Sequence, residues 1–262
     1  MGEVVEDIGD RYRAPALDKG LDILELLAAT DEGLSQAEIA KALDRTPNEI
    51  YRMLDRLVRR QYVARTAGDR YELTLKLFAL AHQHAPVRRL VSQAITELRA
   101  FVREAGQACH LAIYDRGHVV VVCQVESPGY WGLAIRVGSR VGLFNTGSGH
   151  VLLAFASPRE RAFMIEKHDL MPGEVQPADL ESRLEAVQER GFELMPSQQT
   201  VGVQNLSTPV FGPNGTVAAA LTCPYLTWTD PASSPDITAT LKLLRMAAHR
   251  IAPAAGGAAE PV

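Results

Sequence analysis

Apolar positions near the start of the chain recur at helical spacing. "LDKGLDILELLAAT" places Leu17, Leu21, Leu24, Leu27 and Ala28 on one stripe, which predicts a first helix ending between Thr30 and Gly33. "LSQAEIAKAL" opens with Ser35 three residues before Glu38, the spacing at which each side chain accepts the other's backbone N–H, so a short second helix follows. The signal repeats in "TPNEIYRMLDRLVRR": Thr46 caps, Pro47 suits the first helical position, and Glu49 closes the box. This third helix starts only a few residues after the second ends. Ile50, Met53, Leu54, Leu57 and Val58 fall on one face of it, with Asn48, Arg52, Asp55 and Arg59 opposite. "YVARTAGDRYELT" then reads as two short strands turning at Ala67-Gly68-Asp69. Helix, helix, tight turn, helix, hairpin is the order of a winged helix-turn-helix.

Two amphipathic helices, "LKLFALAHQHA" and "VRRLVSQAITELRAFVREAG", follow, parted by Pro86; Gly106 is the natural stop of the second. Beyond them "CHLAIYDRGHVVVVCQVES" reads as a hairpin turning at Asp115 to His118, and "YWGLAIRVG" as a further strand. "NTGSGHVLLAFA" returns to helical spacing, and Ser157 with Glu160 caps another helix. "PADLESRLEAVQERG" adds one more, two strands turn at Gly212 to Gly215, and "SPDITATLKLLRMAAHRIA" closes with a helix. The fold class is therefore α+β: a winged helix-turn-helix over residues 14–76, a helical linker over 77–88, a mixed sheet domain over 89–253, and a low-complexity, disordered tail over 254–262.

Length and composition change the picture little. The 262 residues are 47% hydrophobic and 22% charged, a soluble globular balance with room for two domains. No run approaches a membrane span, and the acidic start lacks a signal peptide's basic and apolar regions, so a cytoplasmic location is expected. Charge distribution matters more. Residues 1–40 carry 3 Lys and Arg against 10 Asp and Glu, whereas residues 41–76 carry 9 against 5. A basic segment within a chain of net charge −4 points to a localised anionic partner.

Double-stranded DNA fits that footprint. In a helix-turn-helix the second helix enters the major groove by its N-terminal end, which places Thr46, Pro47, Asn48, Glu49, Tyr51 and Arg52 nearest the bases. Arg52 matches guanine O6 and N7, Asn48 matches adenine N6 and N7, and Glu49 either accepts from cytosine N4 or is held by its capping role. Arg45, Arg56, Arg59, Arg65 and Arg70 suit phosphates.

In the second domain, the small residues of "NTGSGHVLLAF" leave backbone N–H groups at a helix start open to an anion, with Ser148 and Gly149 foremost. A hydrolase reading of Gly147 to His150 fails, because Gly-x-Ser-x-Gly spacing is absent and adjacent Ser and His do not form a nucleophile and base. A winged helix that binds protein instead of DNA is disfavoured by the basic recognition face. His82 and His84 point apart on a helix and share no metal; His110, His118, His168 and His249 are scattered and receive no role. Cys109, Cys123 and Cys223 read as buried free thiols. No catalytic residue, metal or cofactor is expected.

From Ala16 to Pro253 the chain resembles the IclR-type bacterial transcriptional regulators. "GLDILELLA", "LSQAEIAKAL" and "EIYRMLDRLVRRQYV" are similar to that family's winged helix, and "RVGSRVGLFNTGSGHVLLAF", "RLEAVQERGFEL" and "GVQNLSTPVFGPNGTVAAALT" to its effector domain. The resemblance implies a GAF-like effector domain, DNA-binding domains that dimerise, and assembly into homodimers or tetramers. It also implies an effector pocket lined by the 147–150 segment, the loop before Val203, and the strands around Asn205 and Thr222. Gln198, Asn205 and Thr222 would then supply neutral hydrogen bonds, and Trp131 or Leu143 an apolar wall. The expected ligand is a small organic or polyol acid. The chain departs from the family pattern at Asn48-Glu49, where a Ser-Thr pair is common. It departs again at Gln198-Gln199, where acids are usual, and at Asn205, where cysteine is frequent.

Overall fold

The computed structural model describes residues 14–83, 85–130, 132–212, 215–230 and 234–252. The chain divides into two compact units, 1–84 and 85–262.

In the first unit α1 (Pro15–Ala28), α2 (Gln36–Ala42) and α3 (Pro47–Arg59) pack on a three-stranded antiparallel sheet of order β1-β3-β2, with α4 (Lys76–Gln83) following. The strands are β1 (Leu34–Ser35), β2 (Val63–Thr66) and β3 (Arg70–Leu73). Ile23, Ile39 and Ile50 are fully buried, and with Leu27, Leu54, Val63 and Tyr71 they form one core. Both expected caps are present: Glu38 N donates to Ser35 Oγ at 3.3 Å while Ser35 N donates to Glu38 Oε2 at 2.8 Å. The turn between α2 and α3 closes by Arg45 N donating to Ala40 O at 2.8 Å, with Asp44 in the left-handed region at φ 50°. Aspartate is one of the few residues that visits that region readily. The two-residue β1 is too short to leave a periodic signal and was not foreseen.

The second unit is built on a six-stranded antiparallel sheet of order β6-β5-β4-β9-β8-β7. Its strands are β4 (Cys109–Asp115), β5 (His118–Val125), β6 (Arg140–Val141), β7 (Glu193–Pro196), β8 (Val203–Phe211) and β9 (Val217–Leu226). The helices are α5 (Ala85–Ala105), α6 (Gly147–Phe155), α7 (Pro158–Lys167), α8 (Leu180–Arg190) and α9 (Ile237–Ile251). Alternate residues face opposite sides of a strand. Accordingly Leu111 and Leu221 join the core under α5 and α9, while their neighbours Ala112 and Ala220 join a second core with α6, α7 and α8. The antiparallel sheet with helices on both faces is the α+β layout expected.

One expected element is absent. The described part of 130–138 forms no strand, and the segment meets β5 only at its end, through Gly138 N to Val121 O at 2.8 Å and Val121 N to Ser139 O at 3.0 Å. Pro128, Gly129 and Gly132 interrupt the pairing that an isolated apolar run needs, so only Arg140–Val141 completes a ladder. Conversely, β7 was not anticipated. The disordered tail, and the centre of the Gly212–Gly215 turn, lie outside the described residues.

Candidate functional site

On α3 the core face and the exposed face separate as the stripe predicts: Ile50 and Leu54 are buried, while Asn48, Tyr51, Arg52 and Arg56 are exposed. The start of the helix is tightly held. Thr46 N and Oγ1 donate to Glu49 Oε2 at 3.0 and 2.9 Å, Lys19 Nζ of α1 donates to Glu49 Oε1 at 3.0 Å, and Gln36 Nε2 of α2 donates to Pro47 O at 2.8 Å. Both oxygens of Glu49 are thus engaged within the fold. Thr46 and Pro47 lie exposed at the same tip.

The Thr46 hydrogen bond, then Lys19, pull the Glu49 carboxyl from its ordinary 4.5 to about 2. A carboxylate depressed on folding contributes stability that is complete above the unfolded value and disappears as pH falls through the folded one. The thermal midpoint of wild type should therefore exceed that of Glu49→Gln by a constant margin above about pH 4.5, and the margin should close toward pH 2. A margin unchanged across that window would remove Glu49 from the role.

The other basic side chains divide into two sets. Arg59 pairs with Asp55 at 2.8 Å and Arg65 with Asp69 at 2.8 Å, while Arg70 Nε donates to Gly33 O at 2.5 Å and its guanidinium lies 3.4 Å from Glu38. Arg45, Arg52 and Arg56 have no ion-pair partner among the described residues. Lys19 and Gln36, which fix the entry of α3, carry no local sequence signal because their partners lie 30 and 11 residues away.

In the second unit, strand register assembles what the sequence scatters. Gln124 of β5 pairs with His110 of β4, His110 with Thr222 of β9, Thr222 with Ser207 of β8, and Ser207 with Glu193 of β7. Directly opposed residues of an antiparallel ladder share a face, so five polar side chains form a row beneath α6. Ser148 of α6 meets the row's centre. Its Oγ lies 2.8 Å from Thr222 Oγ1 and 3.4 Å from His110 Nε2, and Thr222 Oγ1 lies 2.7 Å from Ser207 Oγ. His110, Ser148, Ser207 and Thr222 are all buried. Burial alone pushes His110 down to about 4, so the imidazole is neutral at pH 7.

His110, given no role by the sequence, is brought into this row by partners on β5, β9 and α6, which no local pattern reveals. Ser207 and Gln124 escaped for the same reason. The expected effector residues are only partly gathered. Ser148 and Thr222 touch; Gly147 abuts Ser207 and Asn205; Leu143 runs under Gly149. The Gly149 N–H is already taken by Thr146 Oγ1 at 3.0 Å. Gln198 is exposed in the loop between β7 and β8, and Trp131 lies outside the described residues.

Two His–Glu pairs anchor the segment leading into α6. His150 Nε2 donates to Phe144 O at 2.9 Å, and its Nδ1 lies 2.7 Å from Glu193 Oε2, whose other oxygen takes Leu194 N at 2.8 Å and Arg190 at 3.2 Å. From the other side, Phe144 N donates to Glu174 Oε1 at 2.7 Å. Glu174 Oε2 accepts from Met171 N at 2.8 Å and lies 2.9 Å from His168 Nε2, while His168 Nδ1 donates to Gly117 O at 2.8 Å. His150 thus turns away from Ser148, which leaves no Ser–His couple within 147–150. The described residues contain no group of three or more His, Cys, Asp or Glu able to hold a metal. No described helix is long and apolar enough to cross a membrane.

Residues 16–67 match the IclR helix-turn-helix domain, and residues 79–252 match the bacterial transcriptional regulator IclR C-terminal domain. The chain belongs to the IclR family. Among curated relatives of this IclR-family regulator, the HTH-type transcriptional regulator BhcR of Paracoccus denitrificans is 30% identical over 247 residues, covering 91% of this chain and 88% of its own. Among solved structures, the Thermotoga maritima IclR has a TM-score of 0.73 at 23% identity, over 92% of this chain and 98% of its own. An IclR homolog complexed with 4-hydroxybenzoate from Microbacterium hydrocarbonoxydans has a TM-score of 0.75 at 20% identity, with the same coverages. Both structures share the fold. The IclR-family assignment makes the first unit a DNA-binding domain and the second an effector-binding domain, in a transcriptional regulator and not an enzyme.

Proposed function

We propose that this regulator controls a catabolic operon by binding pseudo-palindromic DNA as a homodimer or tetramer, under the control of a small organic acid. Residues 14–76 contact operator, 77–88 connect, and 89–253 hold the effector. Asn48, Tyr51 and Arg52 read bases; Arg45 and Arg56 grip phosphates. Arg65 at the wing exchanges Asp69 for phosphate on binding. Glu49, Thr46 and Pro47 set the tip of α3, and Arg70 braces the wing against Gly33.

The observation that carries the DNA-binding part is the charge on α3 and the wing: Glu49 and Asp55 of α3 and Asp69 of the wing are each tied to a base, while Arg45, Arg52 and Arg56 are exposed and have no ion-pair partner among the described residues. A second copy accounts for the exposed apolar residues Leu17 and Leu21 of α1 and Leu77 and Leu80 of α4. On the effector side, the buried hydroxyls of Ser148 and Thr222, with Asn205 beside Gly147, suit oxygen-bearing ligands, and the Microbacterium structure holds an aromatic acid. Effector binding shifts the spacing of paired recognition helices in proportion to its preference for one arrangement.

Operator fragments selected from genomic DNA provide the test by fluorescence anisotropy. Arg52→Ala should weaken binding by about 2 kcal/mol, roughly 30-fold, and relax preference at one base pair. Wild-type affinity should fall steeply with salt through counterion release. Intact affinity and sequence preference in Arg52→Ala would refute the assignment of α3.

A further inference from the structure

We propose that His110 and Gln124 form a subsite for the effector's carboxylate beside Ser148, and that His110 gains one proton when the acid binds. This rests on the reading of the second unit as the receptor of an organic acid.

One hydrogen-bonding group in the polar row lacks a partner among the described residues. Gln124 Nε2 is buried and has no acceptor among the described residues, and it stands beside His110, whose Nε2 lies 3.4 Å from Ser148 Oγ. Native structures rarely leave a buried donor unanswered, because each such group costs about 1–3 kcal/mol. The two residues are directly paired across β4 and β5, so a single ligand group bearing oxygen acceptors reaches both. A carboxylate has that shape and that appetite for donors.

The same site lacks fixed positive charge: no lysine or arginine is found among the buried described residues. An anion entering it must bring or induce a countercharge. The groups facing His110 are Gln124 from β5, Thr222 from β9 and Ser148 from α6, none of which titrates near neutrality. Cys109 and Leu111, its neighbours on β4, belong to the core on the opposite face. The row's carboxylate, Glu193, lies three strands from His110, about 14 Å at ordinary strand spacing, and is engaged by His150 and Arg190. His110 is the group left to charge. Burial holds it neutral without ligand at about 4, and a carboxylate within hydrogen-bond range favours the imidazolium. The balance is simple: one carboxylate anion and one proton from solvent enter, and an imidazolium–carboxylate pair results, with no bond broken elsewhere.

Titration calorimetry of the full chain with acetate, pyruvate and benzoate tests this, run at pH 7 in phosphate and in Tris, whose protonation enthalpies differ, and again from pH 6 to 8. For an acid that binds, uptake should approach one proton, and Kd should rise toward about tenfold per pH unit. His110→Gln should bind without proton uptake and without that slope, and Gln124→Leu should weaken binding about tenfold while leaving proton uptake unchanged. The wild-type measurement stands even if a variant misfolds. Binding with no proton uptake and a flat pH profile would overturn the subsite and leave the organic-acid reading intact. Failure of all three acids to bind at millimolar concentration would overturn the organic-acid reading itself.

Discussion

Gly149→Ala should lower the thermal midpoint of the C-terminal unit by roughly 6–12 °C, from a cost of about 3 kcal/mol. A β-carbon on Gly149 would lie 2.1 Å from Leu143 O and 2.6 Å from Leu143 C and Cα. These are backbone atoms, so no side-chain rotation relieves the clash. The segment leading into α6 must move, and with it Ser148, which should also cost effector response. Gly20→Ala in α1 is the matched control, because a β-carbon there meets nothing within 4 Å. It should be neutral or stabilising by about 0.5–1 kcal/mol. Differential scanning calorimetry of both variants checks the pair; equal midpoints would show that the close passage under α6 does not constrain the fold.

Glu174→Ala should destabilise by about 3–5 kcal/mol, the cost of removing a buried carboxylate that is hydrogen-bonded to two backbone N–H groups and an imidazole. The Glu174 side chain is fully buried. Burial pushes its carboxyl up, but hydrogen bonds from Phe144 N, Met171 N and His168 outweigh that and hold it below the ordinary value. The loss therefore strands two backbone donors and an imidazole together. Because the folded carboxyl is depressed, the difference from wild type should be full above pH 4.5 and shrink as pH falls below it. Urea unfolding at pH 7 and at pH 4 measures both claims. A cost below about 1 kcal/mol at pH 7 would mean that water replaces the carboxylate without penalty.

Features written in neighbouring residues were legible in the chain. The boxes Ser35/Glu38, Thr46/Glu49 and Ser157/Glu160 announce three helix starts because both partners sit within one turn. The stripe of α3 likewise gives its buried and exposed faces. What escaped depends on pairing across distance. The apolar run at 130–138 satisfied strand periodicity, yet periodicity cannot report whether a neighbouring ladder is available. The polar row runs from Gln124 to Glu193 through the registers of five strands, and no local pattern marks His110 as different from His249. Ser148 was accessible because a helix beginning Gly-Ser-Gly is unusual in itself; its partner Ser207 lies in an ordinary strand sequence.

The three cysteines bear on how the protein can be observed. Cys109, Cys123 and Cys223 are all buried in the core under α5 and α9, and burial pushes each thiol above its ordinary range. Thiolate is the form that reacts with alkylating dyes, so the native chain is nearly silent toward them. A single cysteine introduced at Val201, fully exposed in the loop before β8, would take a fluorophore in an otherwise unaltered protein. Changes around the loop before β8 could then be followed optically in solution, without a cysteine-free background.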